Sequence, residues 1–172
     1  MPVIIPQSLI NKLQELKKVD AQQAAEFSEK AKIEKEDFGR LLIKNKVISD
    51  EELLKIKVDL YKFPSVDLSD IKKLPKEATK LVSDKIISFY SIIPFALENS
   101  ILKVGILNPE NIIGLESLRL VAAKNKVSIE KYIISYADFD RLVKGYKTLA
   151  REVGKVLEAI PEKEGVELAM PE

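Results

Sequence analysis

The sequence has no cysteine, no histidine and no tryptophan, and only six glycines. Without cysteine there is no disulfide and no thiolate nucleophile. Without histidine there is no imidazole base, and the usual zinc ligands are missing with it. The glycines are scattered and none falls in a GxxxxGKS, GxxxxGKT or GxGxxG arrangement, so no loop is built to cradle phosphates. Excess charge of one sign is lacking too. The 28 Lys+Arg and 27 Asp+Glu leave +1, so no long-range positive field gathers nucleic acid or an anionic membrane. No run approaches the ~18 apolar residues of a membrane-spanning helix, and Met1 to Ile10 lacks the basic start and long apolar stretch of a signal peptide. The reading is a cytoplasmic chain with no catalytic, cofactor-binding or metal residues, and not an enzyme.

What the chain does have is a core's worth of apolar residues, 46% hydrophobic over 172 positions, enough for one domain or two small ones. From Gln7 to Tyr61 they recur at three and four, as in Leu9, Leu13 and Leu16 and again in Leu53, Ile56 and Leu60, which predicts short amphipathic helices. Asp20 with Gln23 and Ser49 with Glu52 are capping-box pairs. Leu13 aligns with Leu42, Val19 with Ile48, Asp20 with Ser49, Gln23 with Glu52 and Phe27 with Ile56, either a weak internal repeat or two amphipathic helix pairs that align because both are joined by capped turns; each unit is a helix, a capped turn and a second helix. One such pair cannot bury its own apolar face, so the two are predicted to pack together.

The register changes at Phe63-Pro64, followed by a short extended segment at Val66 to Leu68. Pro75 opens a helix through Ala78, Leu81 and Val82, and a further short helix covers Ser83 to Phe89. Ser91 to Leu97 and Ile101 to Leu107, joined by Glu98-Asn99-Ser100, read as a hairpin. Asn108-Pro109 ends it. A helix carrying Ile113, Leu115, Leu118, Leu120 and Val121 and a strand from Val127 to Ile134 complete a βαβ crossover. Ser135 and Asp138 cap a helix from Tyr136 to about Tyr146, with Phe139, Leu142 and Val143 toward the sheet.

The predicted fold class is α+β: a helical helix-turn-helix repeat subdomain over 1–62, a small α+β sandwich with a hairpin and a βαβ unit over 63–147, and a linker helix with a tail over 148–172. Carboxylates alternate with lysines as on a solvated surface, and Tyr132, Tyr136, Tyr146 and Arg141 read as core or core-edge residues, not a base-stacking platform. The one candidate site is the apolar stripe Leu149, Val153, Val156, Leu157 and Ile160, which needs either a docking partner or its own domain to cover it.

The ordered series Phe38-Gly39, Leu42-Ile43, Val47-Ile48-Ser49-Asp50-Glu51-Glu52-Leu53, Phe63-Pro64-Ser65-Val66-Asp67-Leu68, Ile93-Pro94-Phe95, Leu102-Lys103-Val104-Gly105 and Asn108-Pro109 resembles the N-terminal region of bacterial type IV pilus assembly and type II secretion ATPases. The resemblance spans about Leu9 to Tyr146. It implies a regulatory and protein–protein docking module whose partners are a downstream ATPase motor and the cytoplasmic faces of inner-membrane platform proteins, reached without membrane insertion. Some members bind cyclic-di-GMP through two tandem motifs that begin Arg-Leu-Gly and carry a later Gly and a terminal Gln. Here Asp37-Phe38-Gly39, Lys46 and Leu60 occupy the second copy, and Ser8-Leu9-Ile10, Lys17 and Ala31 the first. Asp37 in place of a guanidinium opposes an anionic ligand in sign, so the expectation is docking without cyclic-di-GMP. The alternative is a second-messenger sensor with altered contacts.

Overall fold

The computed structural model describes residues 3–159, and side chains over 3–149. It opens with α1 (Gln7–Glu15), α2 (Ala21–Glu34), α3 (Phe38–Lys44) and α4 (Asp50–Tyr61). Asp20 and Gln23 make the full reciprocal capping box. Ser49 makes only half of its own. It accepts the Glu52 N–H at 3.1 Å, while the Glu52 carboxylate turns to Lys18 at 2.5 Å, because a charged partner binds it more strongly than a neutral amide. That ion pair ties the turn of the first helix pair to the second.

The two turns are copies of each other. Leu16, Lys17 and Lys18 donate to the carbonyls of Lys12, Gln14 and Leu13, just as Asn45, Lys46 and Val47 donate to those of Leu41, Ile43 and Leu42. Lys17 and Lys46 both take left-handed backbone, at φ 60° and 59°, in a Schellman closure. The repeat is thus one of structure as well as of pattern. A lysine held there costs ~1–2 kcal/mol that glycine does not. Lys46→Gly is expected to stabilise the fold by about 0.5–1 kcal/mol, read from its urea midpoint; a net loss would show that the lysine side chain makes a stronger contact than its exposure suggests.

After α4 the chain runs along the sheet edge, with Ser65 bridging Ile133 and the Ile133 N–H donating to the Pro64 carbonyl at 2.8 Å. The extended segment therefore sits earlier than the predicted Val66 to Leu68. The Leu68 N–H is drawn instead to the Asp138 carboxylate at 3.0 Å, and Arg141 donates to the carbonyls of Leu68 and Ile71 at 2.8 and 2.6 Å. Helix α5 (Lys76–Thr79) starts after Pro75, as predicted, but stops short of Leu81 and Val82. Those residues tighten into three-residue hydrogen-bonded turns onto Ala78 and Thr79. A single π-helical turn covers Lys85–Phe89.

Strands β1 (Ile92–Glu98) and β2 (Ile101–Ile106) form the hairpin, turned at Asn99 and Ser100 with φ 51° and 64°, the backbone of a two-residue type I′ turn. Pro94 is tolerated because β1 is an edge strand with an irregularity between Pro94 and Ala96. Helix α6 (Ile112–Asn125) crosses over to β3 (Ser128–Ile133), which lies parallel to β2, giving the order β1-β2-β3. Helix α7 (Tyr136–Ala159) follows as one continuous helix, where the sequence pattern predicts a helix to about Tyr146 and a separate linker helix. Gly145 weakens it by only ~1 kcal/mol, and good helix formers flank it on both sides.

The fold is α+β, and its buried side chains form one cluster from both sides of Phe63. Leu9, Leu13, Phe38 and Leu53 come from the repeat, Ile93, Leu102 and Val104 from the sheet, and Phe139 and Leu142 from α7. No helix among the described residues is long and apolar enough to cross a membrane.

Candidate functional site

Where α3, α4 and α7 meet the end of β2, a buried polar chain joins the two halves. Lys57, 3% exposed on α4, donates to the Leu107 carbonyl at 2.8 Å and to the Tyr136 hydroxyl at 3.0 Å. The Tyr136 hydroxyl donates in turn to Asp37 Oδ1 at 2.5 Å, and the same oxygen caps α3 through the Arg40 N–H at 2.9 Å. The Arg40 guanidinium lies 5.0 Å over the Tyr136 ring. Burial lowers the Lys57 amine to about 8 against the opposing pull of Asp37 and Asp50. It also raises the Tyr136 phenol well above its ordinary value, reinforced by Asp37. Asp50 closes the junction by accepting the Tyr136 and Ala137 N–H groups at 3.0 Å each.

These contacts decide the fate of the motif positions. The α1 start carries the Ser8 and Leu9 N–H groups, which bond the Glu110 carboxylate at 3.2 and 3.1 Å. Glu110 also accepts from the Tyr61 hydroxyl, which burial and then that carboxylate hold above the usual phenol range. At the α3 start the anion is Asp37 itself. Helix N-termini attract anions, and the N-termini of α1, α3 and α7 are each filled by a carboxylate of the same chain. Leu9, Ile10, Phe38 and Ala31 are core residues, Leu60 packs half-buried against the core, and Lys17 and Lys46 hold the two turns. The Asn108-Pro109 turn positions Glu110, with the Asn108 amide donating to the Ile4 carbonyl at 3.2 Å.

Tyr136 is a core residue and Tyr132 and Tyr146 lie half-buried at the core's edge, whereas Arg141, read from the sequence as core or core-edge, is exposed. Tyr132 stacks edge-on against Phe95, Tyr146 donates to Asp84, and Arg141 clamps the Leu68 segment. Of the predicted stripe, Leu149 lies on α7 and is 39% exposed. Val153, Val156 and Leu157 continue the same helix, their side chains outside the described set, and Ile160 lies outside the described residues.

A further apolar face lies on α6. Ile112, Ile113 and Leu120 are 68%, 61% and 69% exposed, beside a hollow of about 370 Å³ lined by Leu115, Leu118, Ala122 and Ile129. The sequence pattern places Ile113 and Leu120 on a helix and assigns them no facing. The available signal was that apolar residues run round all sides of Ile112 to Val121, the mark of a helix covered on both faces.

Residues 61–152 match the MshEN domain family. No curated protein matches the chain. Among solved structures, MshE with cdg, cyclic-di-GMP, shares the fold at a TM-score of 0.59 and 19% identity, over 81% of this chain and 96% of that one. The N-terminal domain of XpsE matches at 0.60 and 13% identity over 81% and 94%, and a second crystal form of it at 0.51 and 13% over 80% and 93%.

Proposed function

The chain belongs to the MshEN domain family, the N-terminal domain of type IV pilus assembly and type II secretion ATPases, and from that premise we propose that it is a non-catalytic docking and regulatory module. It connects a motor to the cytoplasmic faces of inner-membrane platform proteins, in the cytoplasm and peripheral to that membrane. The observation that carries this reading is the α6 face, whose Ile112, Ile113 and Leu120 stand in solvent on an ordered helix. Exposed apolar clusters on a folded body are what protein partners bury. The helix is held on the sheet by buried Leu118 and by the Asn111 side chain, which caps it at the Gly114 N–H, so the face is rigid before a partner arrives and little ordering cost remains.

Ile113→Asp with Leu120→Asp is expected to leave the melting temperature within ~2 °C, since both side chains are exposed. It is expected to weaken binding to platform cytoplasmic domains at least ~10-fold in biolayer interferometry. Unchanged binding would move the docking face elsewhere.

The second reading is a cyclic-di-GMP sensor, favoured by the shared fold with MshE, solved with that ligand. Against it stand the carboxylates of Glu110 and Asp37 at the two motif starts. Isothermal titration with cyclic-di-GMP at ~10–100 µM is expected to give no saturable heat; a saturable heat would establish the sensor reading instead.

A further inference from the structure

A second surface lies open along α7. A groove of about 750 Å³ runs between α7 and the segment around α5, floored by Leu74, Tyr146 and Leu149 and walled by Lys73, Lys76 and Lys144. None of these three lysines pairs with a carboxylate among the described residues. A Cβ built on Gly145 meets nothing within 4 Å, so the helix leaves room for a chain to lie across it. The groove is apolar at its base and cationic at its rim, which fits an acidic segment with one apolar face.

We propose that residues 160–172 of this same chain occupy the groove. That segment carries Glu162, Glu164, Glu167 and Glu172 against the single Lys163. Val166, Leu168 and Met170 alternate with Glu167 and Ala169, the period that puts apolar side chains on one face of an extended strand. Length permits the return. Helix α7 rises ~1.5 Å per residue, which sets Ala159 ~20 Å beyond Gly145, while residues 160–172 reach up to ~43 Å when extended. Tethering supplies an effective concentration of order mM, so a contact too weak to hold a separate peptide is occupied here. The lysine rim makes it sensitive to salt. The tail thereby masks the groove within the chain, and any partner that takes this side of α7 displaces it. This inference does not rest on the docking face of α6.

The test is zero-length carbodiimide cross-linking of the full chain at low concentration, read by peptide mass spectrometry of the monomer band. The expected products join Lys73, Lys76 or Lys144 to Glu162, Glu164 or Glu167. The Lys76 products fall to background in Lys73→Glu/Lys144→Glu, whose reversed charges repel the glutamates, and cross-links between positions 73 or 144 and positions 164 or 167 return when Glu164→Lys and Glu167→Lys are added, with the melting temperature of each variant confirming that it is folded. Products that join these glutamates to other lysines, or that form only in a dimer band, would overturn the proposal.

Discussion

Gly39→Ala is expected to destabilise the fold by about 2–3 kcal/mol, against the ~1 kcal/mol that the same change stabilises an ordinary helix interior. Gly39 sits in the first turn of α3 with helical backbone, so the cost is one of space. A Cβ there overlaps the Tyr136 hydroxyl and lies 3.1 Å from Leu53 Cδ2. Tyr136 cannot yield cheaply, because its hydroxyl joins Lys57 to Asp37 and its backbone N–H is held by Asp50. Displacing it leaves a buried amine with one acceptor fewer, and a half-buried carboxylate with one donor fewer. Urea denaturation reads the loss. Tyr136→Phe, which removes the overlapping hydroxyl, is expected to couple with Gly39→Ala in a double-mutant cycle, with the combined loss smaller than the sum of the two single losses. A loss below ~0.5 kcal/mol in Gly39→Ala alone would show that the junction is loose.

The second large effect is on pH dependence. Lys57 titrates at about 8 in the folded chain, against an ordinary value of 10.5. Between those values the unfolded chain binds the extra proton, so stability rises with pH across that window; below about 8 both states are protonated and the burial penalty is fully present. Above ~10 the slope reverses, because folded Tyr61 and Tyr136 hold their phenolic protons after the unfolded chain has lost them. Lys57 alone contributes a climb of about 2 kcal/mol from pH 8 to 10, which the tyrosines offset by about 1 kcal/mol as pH 10 is reached, so the expected net rise is about 1 kcal/mol, followed by a fall. Lys57→Met removes the climb while keeping the fall. A wild-type urea midpoint that declines steadily from pH 8 upward would mean that Lys57 is solvated.

How much of this was legible in the sequence follows from the range of the interactions. The caps at Asp20 and Ser49, the hairpin turn at Asn99-Ser100 and the paired turns around Lys17 and Lys46 are local, and residue type and spacing report them. The alignment that set Lys17 and Lys46 on one motif position found two residues with the same left-handed backbone, a geometry that the motif's glycine adopts without strain. The Lys57–Tyr136–Asp37 chain was not legible, since its members come from three helices far apart in sequence and a buried lysine on a helical pattern reads as a surface one. Nor was the outward turn of Ile113 and Leu120, because a helix apolar on all sides gives periodicity no phase. The capping glutamate at Glu110 was hidden for the same reason as Lys57: only the folded chain brings it to the α1 N-terminus.

The most direct test of the docking claim is hydrogen exchange of the chain with and without the cytoplasmic domain of an inner-membrane platform protein from the same source. The expected result is slowed exchange over 112–125 on adding the partner, with the α1 and α3 starts unchanged. Protection that leaves 112–125 untouched and appears elsewhere would contradict it.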